Sequence, residues 1–203
     1  MEYLVTMTTH VPEGTSDAAV ADVRAREDAH SRELAAQRHL LRLWRPPLQP
    51  GEWRTLGLFA ADDEAQLEDV LKSMPLRVWR TDEVTPLAPH PNDPGPGQPG
   101  PATAGGQREF LVTFTVTVPA GTPGPEVEDA EAREAGRAGE LAGQGHLARL
   151  WALPGEGRAL GLWRAQDQSW MQAILASLPL DGWMTEETTP LSPHPSDPAL
   201  AGG

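Results

Sequence analysis

Two glutamates stand where a helix would place an apolar side chain. Val20, Val23, Glu27, Ser31 and Leu34 follow the 3-4-4-3 spacing of one helix face, and Val127, Ala130, Glu134, Ala138 and Leu141 repeat it. A carboxylate in such a stripe is costly to bury unless it is paired or opens into a cavity. Desolvation there raises its pKa toward the range useful for proton transfer, so Glu27 and Glu134 are candidate general bases. The alternative is a structural ion pair with an arginine such as Arg42 or Arg149. His30 follows Glu27 by three residues and can share its face; Arg137 stands at the matching place. His10 is matched by Thr117. The first stretch thus holds two histidines that the second lacks, which makes it the expected acid–base site, with His30 beside Glu27.

Further candidates surround these helices. Arg42 and Arg149 alternate with leucines along a strand pattern, and Arg54 and Arg158 open another. A guanidinium suits a substrate carboxylate through its bidentate fork, although a surface acid is an equally ordinary partner. Trp44 and Trp151 either wall a pocket or fill the core. His39 and His146 sit at helix-to-strand junctions, as pocket residues or as hydrogen-bond partners of the helix end. His90 and His194 lie in Pro-His-Pro, where flanking prolines hold an extended arm suited to wrapping a partner domain. The histidines and carboxylates show no metal-ligand spacing, and there is no phosphate-binding glycine loop or Ser-His-Asp context.

The elements that position these residues occur twice. Residues 1–45 align without a gap on 108–152 with 23 of 45 pairs identical, and 54–94 on 158–198 with 21 of 41 identical. So long a period marks a duplicated domain. The expected division is repeat 1 over 1–93, a linker over 94–107, repeat 2 over 108–198 and a tail over 199–203. Nine of the fourteen linker residues are Pro or Gly. In each repeat a Thr/Val/Leu-rich strand precedes a capped helix running to about Arg38 in repeat 1. Strands at HLLRLW and RTLGLF, a second helix ending near Ser73 and a strand over about Leu76–Thr85 follow. The order βαββαβ predicts an α+β fold of two ferredoxin-like repeats, expected to pack as an intrachain dimeric α+β barrel.

Composition narrows the partners. The formal charge is −13, a surface that repels nucleic acid and anionic membranes. There is no cysteine, hence no disulfide. The opening residues lack the basic stretch and apolar run of a secretory leader, and no segment could span a bilayer, so a cytoplasmic location is the expectation.

These residues resemble the muconolactone delta-isomerase family. The likeness lies in the LVTMT-type strand ending in Val-Pro, and in the helix with Ala-x-Glu near its centre. It extends to Arg42-Leu43-Trp44-Arg45, to Met74-Pro75-Leu76 and Leu178-Pro179-Leu180, and to His90-Pro91 and His194-Pro195. It covers nearly all of both repeats. The resemblance implies single-domain relatives that dimerise and assemble further, so this chain looks like two of them fused into an intrachain pseudo-dimer, with a further homo-oligomer open to it. It also implies a shift of a carbon–carbon double bond in an unsaturated lactone, without cofactor, with the helix glutamate as base. Two departures stand out: Thr6 and Thr113 occupy the place of a basic residue in the first strand, and Arg45 becomes Ala152.

The expected activity is therefore a cofactor-independent isomerase or cyclase acting on a lactone or other carbonyl-containing small molecule, as in a specialised-metabolite pathway. A cofactor-free oxygenase or dehalogenase on the same fold, or a non-catalytic small-molecule binding protein, is the alternative.

Overall fold

The computed structural model describes residues 1–96 and 106–200, so most of the expected linker and the last three tail residues lie outside the described residues. The described chain is a mixed α+β fold with antiparallel strands and four α-helices, and divides into two units. One comprises Met1–Leu87 with Ser192–Gly203, the other Ala88–Leu191. Each unit thus holds one repeat and the closing arm of the other.

In the first unit β1 (Glu2–Thr9) alternates buried and partly exposed side chains, turning Tyr3, Val5 and Met7 inward. Gly14, at φ 82°, helps turn the chain after β1. Ser16 caps α1 (Asp17–Ala36), its Oγ accepting from the Ala19 N–H. The strands β2 (Leu40–Arg45) and β3 (Arg54–Ala60) follow, then α2 (Glu64–Ser73), capped by Asp63. The segment expected to open the last strand is instead a 3-10 turn over Pro75–Trp79, because Pro75 fixes a helical φ at its start. The strand β4 is Arg80–Pro89. Antiparallel pairing gives the strand order β4-β1-β3-β2. The apolar stripe of α1 packs its Leu34 with Tyr3, Val5, Met7 and Phe59 of the sheet.

The second unit repeats this plan. It contains β5 (Arg108–Val116), α3 (Gly124–Gly143), β6 (Leu147–Ala152), β7 (Arg158–Ala165), α4 (Gln168–Leu175) and most of β8 (Met184–Pro193). Its strand order is β8-β5-β7-β6. In β7 the indole of Trp163 lies over Gly161, where an added Cβ would collide with Nε1; Phe59 covers Gly57 in the same way. No helix of the described residues is long and apolar enough to cross a membrane.

The Pro-His-Pro arms are held by one kind of clasp. In the first unit Asp197, its side chain fully buried, accepts from Arg42 Nε at 3.1 Å, Arg42 Nη2 at 3.0 Å and the Leu43 N–H at 3.1 Å. In the second, Asp93 accepts from Arg149 Nε at 3.2 Å, Arg149 Nη2 at 3.1 Å and the Leu150 N–H at 2.8 Å. The arms also extend the sheets, Pro193 pairing with Trp44 and Pro89 with Trp151. Removing one partner of a buried charge pair strands the other. Asp197→Ala should therefore lower stability by about 3 kcal/mol, read by urea denaturation, whereas alanine at exposed Asp22 should leave the midpoint unchanged.

Candidate active site

Helix α1 carries Glu27 into the first unit's interior, where it is 8% exposed, along with buried Val23, Ser31 and Leu34. Its Oε2 accepts from the Leu76 N–H at 2.8 Å, a donor the 3-10 turn leaves free. Its Oε1 lies 3.4 Å from Arg80 Nη1. Arg80 is also buried and grips Asp82 through Nε at 2.6 Å and Nη2 at 3.0 Å. Burial pushes the Glu27 pKa up; the Leu76 N–H, Arg80 and His30 pull it partly back, and Asp28 adds to the rise. A cavity of about 180 Å³ opens here, lined by Met7, Glu27, Ser31, Trp53, Arg80 and His194 among others. Arg24 and Trp53 also meet in its wall, the guanidinium 4.1 Å from the indole centroid.

The second unit places Glu134 likewise on α3, with Oε2 accepting from the Leu180 N–H at 3.0 Å. The position of Arg80 is taken by Met184, and among the described residues no cation pairs with Glu134. Burial raises its pKa, opposed by the Leu180 N–H. The cavity is about 940 Å³, with Phe114, Ala138, Leu147, Leu150, Trp163 and Met184 in its wall.

The other sequence candidates divide. Arg158 lines the second cavity and donates to the Pro154 carbonyl. Arg54 reaches exposed Glu52 at 3.0 Å and is not among the cavity residues. Arg42 and Arg149 hold the arm aspartates and stack on Trp44 and Trp151 at 4.7 Å, and these buried tryptophans line neither cavity. His39 and His146 bond through Nδ1 to the Ala60 and Arg164 carbonyls at 3.0 Å. His30 ties α1 to α2, with Nε2 2.8 Å from Ser73 Oγ and Nδ1 3.0 Å from Glu33; Arg137 spans from Glu140 to Ser177 in its place. His10 is exposed.

Arg80, Trp163, His90 and His194 line the cavity walls and are not among the sequence candidates for the site. The signal available for the histidines was their presence in both repeats. Each arm histidine accepts a backbone N–H at Nδ1, from Asn92 or Ser196 at 3.1 Å, and burial lowers its pKa. The neutral ring then carries its proton on Nε2. Among the described residues no cluster of three or more His, Asp or Glu side chains is placed to hold a metal ion.

A family model described as muconolactone delta-isomerase matches residues 1–93 and again 108–197. The muconolactone delta-isomerase of Cupriavidus pinatubonensis is 32% identical over 92 residues, 45% of this chain and 97% of that protein. Muconolactone delta-isomerase 1 of Acinetobacter lwoffii is 29% identical over 92 residues, 45% of this chain and 93% of that protein. Among solved structures, a heme-binding protein of Thermus thermophilus superposes with a TM-score of 0.60 at 11% identity, over 100% of this chain and 95% of its own. A chlorite dismutase variant of Candidatus Nitrospira defluvii gives 0.59 at 9% identity, over 95% and 91%. These two likenesses are of fold alone.

The two carboxylates respond differently to their surroundings. Burial holds the Glu134 pKa above the ordinary 4.5, so between the unfolded and folded values the folded chain keeps a proton that the unfolded chain has lost. Its contribution to stability is full below the unfolded value and falls as pH rises through the folded one. Glu134→Gln should therefore match or exceed the wild-type melting temperature at pH 7, with the difference vanishing near pH 4 in thermal scans. Arg80→Met, the residue repeat 2 carries, should cost about 3 kcal/mol by urea denaturation and raise the Glu27 pKa further, read by carboxyl carbon NMR.

Proposed function

The chain belongs to the muconolactone delta-isomerase family, and on that premise we propose that it is a cofactor-independent isomerase or cyclase of a carbonyl-containing small molecule. One observation carries the reading. Both repeats set a helix glutamate against a cavity, Glu27 buried and Glu134 half-buried, fix one of its oxygens with a backbone N–H and raise its pKa by desolvation. Such a carboxylate takes a proton from carbon beside a carbonyl more readily than a hydrated one. The electron pair left behind moves into the carbonyl as an enolate, and the proton returns at another carbon of the conjugated system. The double bond shifts with no net gain or loss of atoms or electrons.

Glu27 and Glu134 are the bases in this proposal. His194 and His90, neutral with Nε2–H, share the respective cavities and are the donors for the developing enolate oxygen. Arg42 and Arg149 act by positioning the arms that carry those histidines. The proposed fold of each repeat is ferredoxin-like, and the proposed setting is a small-molecule reaction in the cytoplasm.

The test is proton NMR in D2O with muconolactone and larger unsaturated lactones, comparing wild type, Glu27→Gln and Glu134→Gln. Deuterium should enter beside the carbonyl, and the variant of the working repeat should lose on the order of 10²–10⁴ of that rate. The wild-type rate should rise with pH through the elevated carboxylate pKa, because only the ionised form accepts a proton. Full exchange in both variants would remove the glutamates from the mechanism. A rate that needs dissolved oxygen would point to oxygenation instead.

A further inference from the structure

The two cavities have diverged in size and in sign. The first sets Arg24, Arg45 and Arg80 against Glu27 and Asp28. In repeat 2 the matching positions hold Glu131, Ala152, Met184, Glu134 and Ala135. The second cavity therefore carries three acids, Glu131, Glu134 and Glu156, against one cation, Arg158, which is already engaged by the Pro154 carbonyl at 3.1 Å. Ser31 and Thr55 of the first wall become Ala138 and Ala159. Trp53 becomes Gly157, although both residues give the same carbonyl to the strand opposite, at 2.8 Å from Thr9 N and Val116 N. That opening is built into the backbone: Gly157 has φ 66°, and a Cβ there would collide with the Val116 carbonyl.

Volume and charge agree on a ligand. Sites for drug-sized molecules occupy roughly 300–1,000 Å³. The cavity of about 940 Å³ falls in that range and the one of about 180 Å³ does not. An anionic ligand in the larger cavity would exchange water for a wall with an excess of carboxylates. We propose that the second unit's cavity is the working site and takes one uncharged, largely apolar molecule of drug-like size, while the first, with Arg24 stacked on Trp53, does not admit it. That this molecule carries a carbonyl rests on the isomerase reading above. The ligand class itself rests on the cavity.

The probe is N-phenyl-1-naphthylamine, a neutral fluorophore that brightens in apolar sites, compared with its 8-sulfonate, titrated into the full chain at 0.15 M salt to screen the overall charge. One equivalent of the neutral dye should bind per chain, about tenfold more tightly than the sulfonate, a gap of about 1.4 kcal/mol. Met184→Arg and Ala152→Arg each transplant a residue that repeat 1 accommodates, and Glu186 offers Met184→Arg the carboxylate that Asp82 offers Arg80. Each variant that keeps its wild-type circular dichroism should weaken the neutral dye about tenfold and narrow or reverse the preference. Glu134→Gln should bind the neutral dye at least as tightly as wild type.

Two equivalents per chain, a sulfonate bound as tightly as the neutral dye, or arginine variants indistinguishable from wild type would each overturn the assignment. Dye binding as expected, without deuterium exchange on any lactone, would sink the isomerase reading and leave the ligand class standing. Exchange lost in Glu27→Gln alone would do the reverse, by placing the working site in repeat 1.

Discussion

A carboxylate taken into a protein must be solvated by something other than water, and the way this chain meets that demand organises both units. In each, a single backbone N–H from the segment after the second helix, Leu76 or Leu180, reaches an oxygen of the helix glutamate. The Pro that precedes each of these residues cannot donate a bond of its own and steers the chain into a turn that presents the next free N–H. One hydrogen bond is less than a carboxylate receives in water, so the acid remains under-solvated and its proton affinity rises. Helix, turn and strand meet at this bond, and the cavity exists beside it.

How each unit completes the solvation sets them apart. The first supplies a buried guanidinium, which partly offsets the desolvation of Glu27 and itself needs Asp82 to be tolerable. Among the described residues the second supplies no cation to Glu134, and a thioether stands where the arginine was. Duplication permits such a split, because one copy can keep a compact, ionic interior while the other gives up packing for space. Ser31, Thr55, Arg45 and Trp53 give way to Ala138, Ala159, Ala152 and Gly157, which removes bulk or polarity at the wall, whereas Met7 becomes the larger Phe114.

The arms add a second dependence. Asp93 and Asp197 lie past the end of each repeat's last strand and are bound by the arginine and leucine N–H of a strand in the unit they complete. A guanidinium on an alternating strand reads as a candidate for a substrate carboxylate. It does hold a carboxylate, but one supplied by the chain itself. The same arms bring His90 and His194 into the cavity walls, so clasp and chemistry are joined through a few residues of extended chain.

The sequence by itself determined the duplication, the βαββαβ order, the family and the position of the two glutamates on an apolar helix face. These follow from local periodicity and from comparing one half of the chain with the other. Only the tertiary structure decided which arginine meets Glu27, since Arg80 is 53 residues away and no spacing rule joins a helix to a strand end at that distance. It also decided that His30 bridges two helices while His90 and His194 line cavities, because side chains far apart in sequence are brought together by strand register and by the arms. Cavity size was likewise out of reach of the sequence: it is the small remainder after many side chains have packed, and a single exchange such as Trp53 for Gly157 matters only once the strands place that residue at the wall.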